Sequence, residues 1–305
     1  MRLKLAYLGV VLVWTTTPLA IKWSSDGVSY VLGVTARMSI GLACLLLLML
    51  ATRQRLAFHR AARWTYLAVT VQLYLSMLIT YWAARFIPSG WLSVIFGLSP
   101  FMTAFMAAAF LKERSLGWLK VSSYLLGIVG LLVMFLSALD LNEQALVGVA
   151  GMLVATFIHS ASAVWVKRID AKLPAVHQIT GGLLCSLPLY FISWYVLDHG
   201  QLPTEIPEKT LYAIVYLGTI ATTLGFALYY YVLTYMPATN VAMINLMTPI
   251  LSLLLGYAVN QEPLTLKTAI GTGLIMTALL IHEIADRRQR LKTLSAYPEQ
   301  AANSR

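Results

Sequence analysis

Four ionisable side chains fall within or at the ends of long apolar runs, where charge is expensive: His159, Arg37, Lys22 and Lys167. His159 stands in Phe157-Ile158-His159-Ser160-Ala161-Ser162, near the middle of its run. An imidazole titrates near pH 6.5, about where proton exchange operates. The plainer alternative is a neutral histidine satisfied by a neighbouring serine or a backbone carbonyl. Arg37 lies seven residues into its run, roughly 10 Å at 1.5 Å per residue. A guanidinium there can grip a carboxylate or phosphate, or it can snorkel to the nearer interface. Lys22 and Lys167 close their runs. They can mark topology, or they can gate, sealing each face in turn.

Other residues carry less charge but matched positions. Pro100 and Pro249 each remove a backbone donor and free an upstream carbonyl, so each can kink its segment and act as a hinge. Tyr81, Trp82, Tyr229, Tyr230 and Tyr231 form an aromatic group that reads as an interfacial belt or as the lining of a substrate path. Asn245 and Gln72 can bind helices together or line such a path. Glu113 and Glu262 fall at segment ends and read as structural. All 12 acidic residues lie in loops, tails or segment ends, so a carboxylate proton relay is not expected. Cys44 and Cys185 sit within apolar runs, without disulfide or metal spacing. There is no phosphate-binding glycine loop and no His-Glu-x-x-His. No enzyme, cofactor or metal is expected.

Positioning these residues falls to the apolar runs themselves. Of the 305 residues, 59% are hydrophobic and only 11% charged. Soluble domains run near 25% charged, and the mean hydropathy of +0.75 points the same way. A net charge of +10 raises nucleic acid as a partner, but the basic residues come in short clusters between apolar runs, which argues against it. Ten runs are long enough to cross a bilayer: 5–23, 30–51, 64–84, 88–111, 119–137, 146–166, 176–196, 211–235, 238–260 and 265–284. Apolar residues occupy consecutive positions rather than alternating, so the spans are helices, not barrel strands. Residues 287–305 read as a disordered polar tail. An amino-terminal signal peptide would also fit residues 1–20, but its removal would break the symmetry described next.

The chain repeats itself. Tyr81, Pro88, Ile95, Pro100 and Glu113 recur, all 149 residues later, as Tyr230, Pro237, Ile244, Pro249 and Glu262. Trp14, Thr15 and Lys22 align with His159, Ser160 and Lys167 at an offset of 145. The halves are 1–137 and 138–286, each with five spans. Five is odd, so the second half enters the membrane from the other side and the repeat is inverted. With ten spans both termini share a face. That face collects Arg2, Lys4, Arg53, Arg55, Arg60, Arg63, Lys112, Arg114, Lys120, Lys167, Arg168, Lys172, Arg287, Arg288, Arg290, Lys292 and Arg305. The other has only Lys22, Arg85, Lys209 and Lys267. Basic residues concentrate in the cytoplasm, so both termini are expected there.

The chain resembles the EamA-type family of the drug/metabolite transporter superfamily. The likeness rests on Tyr81-Trp82-Ala83-Ala84, Leu98-Ser99-Pro100 and Leu111-Lys112-Glu113-Arg114, and on their counterparts Tyr230, Leu246-Met247-Thr248-Pro249 and Glu262-Pro263-Leu264-Thr265. Trp14-Thr15-Thr16 and Ala36-Arg37 also match. The chain departs where the family often has glycine, here Thr15; where it often has tryptophan, here His159; and where it reads Gly-Glu, here Gln261-Glu262. The resemblance implies an inner-membrane exporter of a small metabolite such as an amino acid.

The expectation is therefore an all-α membrane protein of ten helices. Its central substrate pocket is built from Trp14, Thr15, Arg37, Tyr81, His159, Tyr230 and Asn245. One half rocks against the other, with Lys22, Pro100, Lys167 and Pro249 as gates and hinges. A receptor or assembly scaffold on the same fold is the competing reading. Gly127 with Gly130, and Gly148 with Gly151, can pack helices within the chain or between protomers, so a homo-oligomer is left open.

Overall fold

The computed structural model describes residues 2–110, 117–236 and 238–302, without the side chains of 230, 233, 238–240, 242 and 290–302. Glu113 and Pro237, two members of the sequence repeat, lie outside the described residues. The described residues form helices and no strand. Ten helices are long and apolar enough to cross a membrane. They are α1 (Arg2–Trp23), α2 (Tyr30–Ala51), α3 (Arg60–Ala83), α4 (Ser89–Phe110), α5 (Trp118–Leu141), α6 (Glu143–Ile169), α7 (Ala175–Asp198), α8 (beginning at Glu208 and ending at Tyr235), α9 (Ala238–Asn260) and α10 (Leu266–Ala302). The last helix runs through residues 287–302, where the sequence suggested disorder.

Local chemistry sets the ends and irregularities. The Ser29 side chain accepts from Val31 N at the start of α2, and Asn142 accepts from Ala145 N at the start of α6. Thr16 and Thr17 return their hydroxyls to the carbonyls of Leu12 and Val13, just before Pro18 in α1. Two helices contain a wide, π-helical turn: Val71–Ser76 in α3 and Leu217–Leu224 in α8. These are the third helices of the two halves, and the turns overlap when the 149-residue offset is applied. The matched prolines behave differently. Pro100 follows a break at Gly97-Leu98 that divides α4 into Ser89–Phe96 and Ser99–Phe110. Pro249 lies inside α9, which continues through it.

Eight helices form a closed circuit of contacts. In order, α1 packs on α8, α8 on α2, α2 on α7, α7 on α3, α3 on α6, α6 on α4, α4 on α9, and α9 on α1. Every neighbour in that circuit comes from the opposite half of the chain. Exchanging each helix for its repeat counterpart reproduces the same circuit. The expectation that one half rocks as a block does not fit this packing. Such a movement would disturb all eight contacts, several of which have a glycine at a point of close approach. Gly218 of α8, for example, has Ile40 and the Arg37 carbonyl of α2 where a side chain would go.

The fifth helices lie outside this circuit and pair chiefly with each other, with further contacts to α6 and α9. Lys120, at the start of α5, forms an ion pair with Asp286, late in α10. Asp140, at the end of α5, pairs with Lys267, at the start of α10, at 2.7 Å. The two helices are therefore antiparallel and exchange equivalent ion pairs. Near their crossing a Cβ on Gly130 would come within 3.0 Å of the Gly271 carbonyl and 2.8 Å of Ile275. Gly127 faces Phe101 and Ala278, while Gly148 and Gly151 face Ile87 and Trp82. All four small residues are thus consumed by packing within the chain.

Gly130→Leu should destabilise the protein by about 1–3 kcal/mol through overpacking, read as a lower melting temperature in detergent. Gly273→Ala should be neutral, because nothing lies within 4 Å of its added carbon.

Candidate functional site

Arg37 lies in the apolar interior at 5% exposure. Its Nε donates to Thr222 Oγ1 at 3.3 Å and its Nη1 to Tyr81 Oη at 3.5 Å. Arg37 does not snorkel, since both partners are buried side chains. Thr222 sits in the wide turn of α8, and its hydroxyl also bonds the Leu217 carbonyl. Tyr190 is buried on α7, which packs against both α2 and α3. Its hydroxyl donates to the Leu73 carbonyl, and Leu73 belongs to the wide turn of α3. A wide turn displaces carbonyls from their ladder and leaves them free for outside donors. Tyr74 of the same turn bonds the Ser193 hydroxyl at 2.6 Å. The turn in α8 thus supplies Thr222 to the guanidinium, and the turn in α3 receives Tyr190 from α7.

A cavity of about 290 Å³ opens at the face opposite the termini. Lys22, Trp23, Ser25, Asp26, Tyr81 and Arg85 line it, with Ala84 and Asn260. Tyr81 is fully buried yet borders this vestibule, and its hydroxyl reaches Arg37. Tyr81 thus stands between the vestibule and the guanidinium.

A second polar cluster closes the same face. Glu262, just past α9, accepts from Ser89 N at 2.8 Å and from Ser89 Oγ at 2.8 Å. It also accepts from Asn260 Nδ2 at 2.8 Å. Lys22 Nζ donates to the Ile87 carbonyl at 2.9 Å and stands 3.7 Å from Glu262. Ser89 opens α4 directly after Pro88, so its amide is one of the unpaired donors of a helix start. A carboxylate answers both that donor and the positive end of the helix dipole. The arrangement joins α1 and α9 to α4. Sequence reading left Glu262 as merely structural and passed over Ser89. The only sequence signal was the Pro88-Ser89 helix start.

The remaining candidates are dispersed. His159 lies on the packed face of α6, edge-on to Phe96 with centroids 4.6 Å apart, next to the break in α4. Its Nδ1 is buried without a hydrogen-bond partner, so the expected serine or carbonyl does not satisfy that nitrogen. The adjacent Ser160 donates instead to the Ser99 carbonyl at 3.1 Å. Trp14 packs on Tyr229 with centroids 4.8 Å apart. Thr15 is buried, its carbonyl accepting from Ser252 Oγ at 2.9 Å while its own hydroxyl is unpaired. Asn245 is exposed on α9 and Lys167 is exposed at the end of α6. Tyr230 lies on α8 with its side chain outside the described residues. No contact recorded among the described residues joins His159, Trp14 or Asn245 to the Arg37 cluster. Thr222, which holds the guanidinium, was not foreseen, because threonine is ordinary in membrane helices. Among the described residues no group of histidine, cysteine and carboxylate side chains could hold a metal ion.

Ten apolar helices, eight of them in a circuit around a buried cation, define a multi-pass membrane protein. The description of the EamA-like transporter family matches residues 3–136 and 146–282, and the chain belongs to that family. It is a transporter, not an enzyme. An uncharacterised transporter of Bacillus subtilis, YoaV, is 21% identical over 293 residues, covering 95% of this chain and 99% of that one. An uncharacterised transporter of Archaeoglobus fulgidus is 29% identical over 201 residues, covering 64% and 68%. A probable amino-acid metabolite efflux pump of Escherichia coli is 26% identical over 203 residues, covering 64% and 67%. A solved crystal structure superposes with a TM-score of 0.63 at 19% identity over 92% of this chain and 98% of that one, which shows the shared fold.

Glu262→Ala should cost about 2–4 kcal/mol, because it strands the Ser89 donors and the Lys22 ammonium. Thermal unfolding should show this, with Glu262→Gln losing less because its amide oxygen still accepts from Ser89.

Proposed function

We propose that the chain exports a small metabolite, such as an amino acid, across the bacterial inner membrane by alternating access. Both termini are cytoplasmic in this reading, and the two halves are inverted repeats. The observation that carries it is the circuit in which both neighbours of each helix come from the other half. The antiparallel α5–α10 pair with its exchanged ion pairs supports the inversion. The relatives named as amino-acid metabolite efflux pumps support the substrate size and the direction.

The moving bodies we propose are mixed: α1, α2, α8 and α9 against α3, α4, α6 and α7. The pseudo-two-fold exchange turns one group into the other. The seams between them are α2 with α7 and α3, and α4 with α9 and α1. The Glu262–Ser89 bonds and the Lys22–Ile87 bond cross the second seam on the outer face. They hold that face closed here, and Lys22 thereby acts as a gate. The break at Gly97-Leu98 before Pro100 gives α4 a point at which to flex. His159 rests against that break, so its protonation would be coupled to the hinge.

Proteoliposomes offered a pooled metabolite set should accumulate at least one solute, read by mass spectrometry. His159→Ala should abolish its response to an imposed pH gradient or its transport altogether. Failure of correctly folded protein to move any solute from a broad pool would favour the receptor or scaffold reading. Ser89→Ala, which loosens the outer lock, should raise the rate at which a cysteine placed at Ala84 reacts with an impermeant thiol reagent from outside.

A further inference from the structure

We propose that the transported solute carries an acidic group, a carboxylate or a phosphate, and that Arg37 receives it at the seam between the moving bodies. This rests on the transporter reading above and names the chemistry of its cargo.

The argument starts from an unbalanced charge. Arg37 is nineteen-twentieths buried, about 10 Å from the end of its helix. A guanidinium presents five donors in a planar fork and keeps its charge under all ordinary conditions. Here only Thr222 and Tyr81 accept from it, at 3.3 and 3.5 Å, long for bonds to a cation. Both acceptors are neutral hydroxyls. The ion pairs among the described residues join Lys22, Lys120, Lys172 and Lys267 to carboxylates, and none involves Arg37. Burying an unpaired ion costs several kcal/mol, so the fold sustains Arg37 for something that arrives later.

The surroundings match an anion. Tyr81 and Thr222 set hydroxyls against the guanidinium. Phenols can turn to donate to an acid while the fork binds it in bidentate fashion. The vestibule above Tyr81 is lined by Arg85 and by Lys22, which also faces Glu262, with Asp26 as the acid in its lining. An anion leaving Arg37 past Tyr81 thus meets cations on its way out. Position matters as much as charge. Arg37 bonds Thr222 within its own moving body and Tyr81 in the other. A solute that replaces the long Arg37–Tyr81 bond therefore loosens a contact across the seam. This couples occupancy to opening.

The test uses purified full-length protein and intrinsic tryptophan fluorescence during heating. The probes are short monocarboxylates, dicarboxylates and phosphomonoesters, each paired with its neutral amide or alcohol. At least one acid should raise the melting temperature of wild type, and its neutral counterpart should not. Arg37→Gln should need about tenfold more of that acid, or greater, for the same shift. Arg37→Lys should fall between, because it keeps charge without the fork. Tyr81→Phe and Thr222→Val keep the guanidinium and should weaken binding less. They carry the test if Arg37→Gln does not fold. An acid-induced shift unchanged in Arg37→Gln or in the Tyr81→Phe and Thr222→Val pair overturns the proposal. So does stabilisation only by neutral or cationic solutes. Transport of a neutral solute by both wild type and Arg37→Gln proteoliposomes would leave the transporter reading standing and remove this one. Movement of no solute at all would remove both.

Discussion

The interior of a bilayer offers a polar group no hydrogen-bond partner, and the architecture of this protein follows from that constraint. Helices satisfy their own backbones, so the apolar runs become helices. Whatever the helix ladder leaves over must be answered by another helix. The carbonyls released by the wide turn in α3 receive Tyr190 from α7. The Ser89 amide at the start of α4 receives Glu262 from beyond α9. The Ser99 carbonyl beside the α4 break receives Ser160 from α6. In each case the donor and the acceptor belong to opposite halves of the chain.

This interleaving decides what can move. A protein made of two independent five-helix blocks would hinge between them. Here the halves are threaded through one another, and only two seams divide the circuit into equivalent groups. Polar bonds cross between the groups at Glu262 with Ser89 and Lys22 with Ile87 on one face and at Arg37 with Tyr81 deeper in, while others, such as Tyr190 with Leu73 and Ser252 with Thr15, tie helices together within each group. Apolar contacts elsewhere are close, with glycines where backbones meet, and close-packed surfaces resist continuous deformation. Small polar locks on stiff bodies are suited to two discrete states.

The two prolines show how a sequence repeat can diverge in structure. Pro100 and Pro249 occupy the same place in the alignment, yet α4 is interrupted and α9 is not. Gly97 precedes Pro100 by three residues, and its counterpart in the second half is Leu246. A glycine weakens the helix where the proline has already removed support. Leucine at the same place lets α9 continue. The repeat therefore supplies two related paths of unequal stiffness.

Much of the fold was legible along the chain. Length and hydropathy determined ten helices, because a span is a local property of about 20 residues. The 149-residue offset determined the duplication, and the distribution of arginine and lysine gave an expected orientation. Arg37 and Tyr81 were visible as candidates because charge and aromatics stand out in apolar surroundings. What they touch was not visible. Thr222 lies 185 residues from Arg37, and Ser89 lies 173 residues from Glu262. No local pattern records such pairs. His159 looked like the sharpest candidate because it is the one histidine in the middle of a span, yet it packs on Phe96 apart from the Arg37 cluster. The sequence determined which segments enter the membrane and which charges enter with them. Only tertiary structure decided the neighbours, because in lipid each stranded polar group takes its partner from whichever helix the packing brings alongside.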